Sequence, residues 1–90
     1  MAALSFTQTN GKYVATISGL TESKYVDIQR NEKGVITVYQ RANGAATWKD
    51  PQDVERGKYA SDVAFNLLVE AGSVDFQIVS NTEVTSAIIN

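Results

Sequence analysis

Short runs of β-branched and aromatic residues return along this chain about every ten positions, each closed by a turn residue. No helical period of useful length competes with them. The clearest run, Val35-Ile36-Thr37-Val38-Tyr39, is built almost wholly of side chains that suit a pleated surface. Alternation marks the others, because successive strand side chains point to opposite faces. Leu4 and Phe6 alternate with Ser5 and Thr7, and Tyr13–Ile17 follows. In Tyr25–Gln29, Val26 and Ile28 share a face. Val63, Phe65, Leu67 and Val69 oppose Ala64, Asn66 and Leu68. Val74, Phe76 and Ile78 oppose Asp75, Gln77 and Val79, and Val84, Ser86 and Ile88 oppose Thr85, Ala87 and Ile89.

The turns carry their own chemistry. Asn10-Gly11 between two runs predicts a two-residue type I′ hairpin, which needs positive φ at both central positions. Asn31-Glu32-Lys33-Gly34 fits a type I turn leading into a bulge. Gly19 to Ser23, Asn43-Gly44, Ala71-Gly72 and Asn81 mark further turns. The pattern breaks after Arg41 and leaves a long loop over 42–59. Within it Asp50 fits an N-cap, Pro51 the first helical position, Asp53 the third, and Gly57 the stop, so 51–56 is expected to form one short helical turn. The expectation is one all-β domain over 1–90, a compact antiparallel β-sandwich or barrel of about seven strands.

Composition narrows the function. The chain has 90 residues with neither cysteine nor histidine, which removes disulfides, thiolate ligands and the usual acid–base and nucleophile triads. A small domain without disulfides suggests folding in a reducing cytoplasm. The net charge of −2 and a basic set scattered from Lys12 to Lys58 argue against nucleic acid, which needs clustered cations. The N-terminal Met1-Ala2-Ala3-Leu4-Ser5-Phe6 lacks the basic and apolar regions of a signal peptide, no run is long enough for a membrane span, and the chain reads as a whole gene product.

Asp50, Asp53 and Glu55 are the one carboxylate group close in sequence. They suit helix capping better than either a glycosidase pair or a calcium loop, whose alternating acids and central glycine are missing. No enzyme, cofactor or metal is expected. Trp48 has two readings. Folded over one end of the core it would contribute on the order of 4–6 kcal/mol, from about 150–250 Å² of buried area; left exposed, it would anchor a partner or a sugar ring. Tyr39 and Tyr59 suit half-buried packing. Apolar, β-prone ends, Ala2-Ala3-Leu4 and Ala87-Ile88-Ile89, imply that both termini are paired, either within the domain or onto a neighbour. The residues expected to contact a partner are therefore Leu4, Phe6, Trp48, Lys49, Asp50, Pro51, Tyr59, Ile88 and Ile89.

The segment Asn66-Leu67-Leu68-Val69-Glu70-Ala71-Gly72, with Phe76-Gln77-Ile78-Val79-Ser80 and Val84-Thr85-Ser86-Ala87, resembles small virion proteins of tailed bacteriophages. It is similar in particular to short capsid-decorating or auxiliary head proteins, including those of crAss-like phages. The likeness covers about the last third of the chain. It implies a cysteine-free sandwich in the virion, made in the host cytoplasm and present in multiple copies, that bridges neighbouring capsid subunits. The alternative expectation is a carbohydrate-binding or adhesion module that takes surface glycans on Trp48 and the tyrosines.

Overall fold

The computed structural model describes residues 2–49, 58–61, 64–69, 71–72 and 74–90, with 58–61 and 65 described by their backbone only. Nine strands run through these residues: β1 (Ala2–Ala3), β2 (Thr7–Thr9), β3 (Lys12–Ile17), β4 (Lys24–Arg30), β5 (Gly34–Ala42), β6 (Lys58–Ser61), β7 (Ala64–Val69), β8 (Val74–Ser80) and β9 (Val84–Ile89). They form two antiparallel sheets, a four-stranded one ordered β1-β9-β4-β7 and a five-stranded one ordered β2-β3-β8-β5-β6. The protein is an all-β sandwich.

The alternating residues supply its core. Val26 and Ile28 of β4, Ile36 and Val38 of β5, Val69 of β7 and Ile78 of β8 are completely buried, joined by Ile17, Leu67, Phe76 and Ala87. Each buried Val, Ile or Phe stabilises the fold by roughly 1.5–3 kcal/mol. Leu4, Phe6, Leu20, Val74, Val84 and Ile89 close the rim.

The Asn10-Gly11 hairpin forms as expected. Thr9 pairs with Lys12, and the two central residues take φ of 51° and 76°. The Asn31–Gly34 turn differs from expectation. It joins β4 to β5, which lie in different sheets, so it arches across the sandwich instead of closing a hairpin. Apart from β2–β3 and β5–β6, every consecutive pair of strands changes sheets. Gly34 is needed there for space: a Cβ would strike Asn81 Oδ1 and come within 2.9 Å of Thr82. That oxygen accepts the Val35 amide at 2.8 Å. Arg30, buried one step beyond Ile28, ties the same end together. It donates to Ser80 Oγ (3.2 Å), Thr82 Oγ1 (3.1 Å) and the Gly34 carbonyl (3.4 Å).

Three further expectations need correction. The first strand is not Leu4–Thr7 but β2, with the two-residue β1 before it, and Leu4 and Phe6 pack against the core between them. The long loop is shorter than 42–59, because β5 runs on to Ala42 and the backbone of Lys58–Ser61 pairs with it as β6. In β9 the alternation slips. Gln29 faces Ser86 while Arg30 faces Val84, so Thr85 is an extra residue in a bulge, with its hydroxyl donating to the Gln29 carbonyl at 3.1 Å. Val84 consequently packs against the core together with Ala87 and Ile89, and not on the opposite face. The helical turn expected over 51–56 lies outside the described residues.

Candidate functional site

Two places on this scaffold are built in a way that the core does not require. The first is the loop leaving β5. Asn43 and Gly44 form a turn closed by the Ala45 amide on the Ala42 carbonyl (2.8 Å), with Gly44 at φ 77° as a type II turn demands. The Lys49 amide then donates to the Gln40 carbonyl at 2.8 Å, folding the loop back along its own strand.

Asp75 of β8, opposite Arg41 in the register, is the anchor. Its carboxylate accepts from Arg41 Nε (2.9 Å), Asn43 Nδ2 (2.9 Å) and the Gly44 amide (3.2 Å). The residue is 2% exposed. The Gly44 amide first, and Arg41 next, hold its carboxyl below the ordinary value of 3.8, outweighing the opposing effect of burial. The Arg41 guanidinium lies over the Trp48 ring, 4.1 Å from its centroid. Such a contact is worth about 0.5–1 kcal/mol at a partly exposed site.

Of the two readings of Trp48, the structure does not give the one that folds it over the core. It is half-buried and does not pack on the core; it is held against the sheet's flank by a chain of contacts from Asp75 through Arg41. Beside it, Gln40, Arg41, Ala42, Lys49 and Val74 line a hollow of about 180 Å³. Asp50 and Pro51 lie outside the described residues, as do Asp53 and Glu55. Tyr59 is placed by backbone alone, in β6 opposite Ile36.

The second place is the edge of the four-stranded sheet. The chain ends pair with each other: Ala2 faces Ile89 and Ala3 faces Ile88, Leu4 donates to the Ala87 carbonyl (2.9 Å), and the Asn90 amide donates to the Tyr25 carbonyl (2.9 Å). Leu4, Phe6, Ile88 and Ile89 thus come together at one site, while Trp48 and Lys49 sit at another on the other sheet. Because β1 is two residues long, it covers only the end of β9. Along Val84–Ser86 the edge of β9 away from β4 has no strand paired to it among the described residues, and an open groove of about 460 Å³ runs there between Leu4, Phe6 and Val84. An edge of this kind presents backbone groups to any extended chain that can lie along it.

Sequence reasoning missed Arg41, Asn43 and Asp75. Asp75 reads as one polar residue in an alternating strand, and its role follows only from the register that sets it opposite Arg41. Comparison with protein-family models, curated proteins and solved structures returned no match.

Proposed function

We propose that this chain is a structural assembly protein, a virion component that sits on a capsid and bridges or stabilises neighbouring subunits. The open groove beside Val84–Ser86 carries the reading. An extended segment of a neighbouring subunit would continue the ladder that β1 begins on β9, and would set an apolar side chain between Phe6 and Val84. Strand addition draws affinity from main-chain hydrogen bonds and specificity from alternate side-chain pockets. A groove this short gives modest affinity, and repetition over a lattice raises it. A chain with no histidine, no cysteine and a net charge of −2 suits such a role.

Sedimentation with empty capsid shells tests the proposal. The purified chain should bind assembled shells far better than isolated capsid subunits, because the seam exists only once two neighbours are fixed side by side. Thr85→Lys, which places a charge in the groove at an exposed bulge position and gives up the hydroxyl's bond to the Gln29 carbonyl, should abolish pelleting while its melting shows that it still folds. Failure of the unaltered chain to pellet would overturn the proposal.

A further inference from the structure

The outer face of the four-stranded sheet carries polar chemistry that neither the core nor the β9 groove uses. The register lines up Ala3, Ile88, Asp27 and Asn66 in one row across β1, β9, β4 and β7, and sets Tyr25 opposite Leu68 in the next. Val26 and Ile28 point inward and are completely buried, so Tyr25, Asp27 and Gln29 point outward. Tyr25 is 53% exposed, the most exposed large apolar side chain among the described residues.

Next to it, Asp27 organises two amides. Its Oδ1 accepts from Asn66 Nδ2, and its Oδ2 accepts from Asn90 Nδ2 at 2.8 Å. Each amide then has one N–H and its carbonyl oxygen left for a ligand. The carboxylate fixes both in orientation, which lowers the ordering cost of binding. Strands β1, β4, β7 and β9 place no lysine or arginine on this face, and Ala3, Ala64 and Ser86 keep its relief low. An exposed aromatic ring beside two oriented amides, on a face where Asp27 is the one charged side chain that β1, β4, β7 and β9 turn outward among the described residues, matches one ligand chemistry closely. The C–H face of a pyranose ring would stack on Tyr25, and adjacent sugar hydroxyls would bridge the amides.

We propose that this face is a binding site for neutral oligosaccharides, with Tyr25 as the stacking platform and Asn66 and Asn90 as the hydroxyl readers, oriented by Asp27. The site is independent of the assembly reading and uses neither Trp48 nor the loop that carries it. The central carboxylate disfavours anionic sugars.

Amide-resolved NMR titration of the full chain tests it, with maltohexaose, cellohexaose, xylohexaose and mannohexaose as probes and polygalacturonate as the anionic control. At least one neutral probe should shift the Asn66 and Asn90 side-chain NH₂ signals together with the Tyr25 amide, and polygalacturonate should shift none of them. Tyr25→Ala should weaken that binding by about ten-fold, and Asn66→Ala should weaken it as well, with both variants melting as the parent does. If no neutral probe shifts these signals, or if the shifts fall around Trp48 instead, the proposal is wrong. Polygalacturonate binding on this face would equally contradict it.

Discussion

Two glycines show how the same residue is required for different reasons. Gly11 sits at φ 76° with open space around the position of a Cβ, so its requirement is conformational. Gly34 needs no positive φ, and its requirement is contact with Asn81 and Thr82. Gly11→Ala should cost about 1–2 kcal/mol from the left-handed backbone. Gly34→Ala should cost about 1–3 kcal/mol, because Asn81 must release the Val35 amide to make room. A thermal-melt double-mutant cycle separates the two. Asn81→Ala should couple strongly to Gly34→Ala and not to Gly11→Ala; coupling of equal size in both pairs would refute the distinction. The Asn-Gly signal at 10–11 was legible because it is local. The Gly34 contact was not, because Asn81 lies far along the chain, on a turn whose neighbour in space the sequence does not reveal.

At the level of elements, strand existence was legible and strand partnership was not. Alternating apolar residues mark β3, β4, β5, β7, β8 and β9, since each must bury one face. β1, β2 and β6 escaped, being short edge strands with little alternation to read. Turn residues say that the chain reverses and are silent on whether it stays in the sheet, which is why the Asn31–Gly34 link read as a hairpin feature and proved to be an arch. The Thr85 bulge hides for a similar reason, since one unpaired residue shifts the faces without changing composition.

The loop after β5 has a pH signature. Because the folded state holds Asp75 below 3.8, the bound carboxylate contributes stability that is complete above the unfolded value and is lost as pH falls through the lower folded one. Trp48 fluorescence should therefore stay constant from neutral pH down to about 4 and change below it. Asp75→Asn, which cannot hold Arg41 as a charged partner, should show the low-pH signal at neutral pH. An unchanged spectrum in that variant would mean that Trp48 is held by something other than the Arg41–Asp75 pair.

For the molecule as a whole, the pairing of its two ends decides which sheet edge stays open to the proposed partner. The apolar termini implied pairing, and the structure pairs them with each other, so they are spent inside the domain except where β1 stops short. That places the open edge at Val84–Ser86, away from Trp48, and makes the two candidate contacts separable. Site-specific photo-crosslinking on assembled shells distinguishes them most directly. A crosslinking residue at position 85 should join the chain to a capsid subunit, at one contiguous extended segment, whereas the same residue at exposed positions 16 or 47 should give little product. Crosslinks from 47 with none from 85 would contradict the account and transfer the contact to the Trp48 loop.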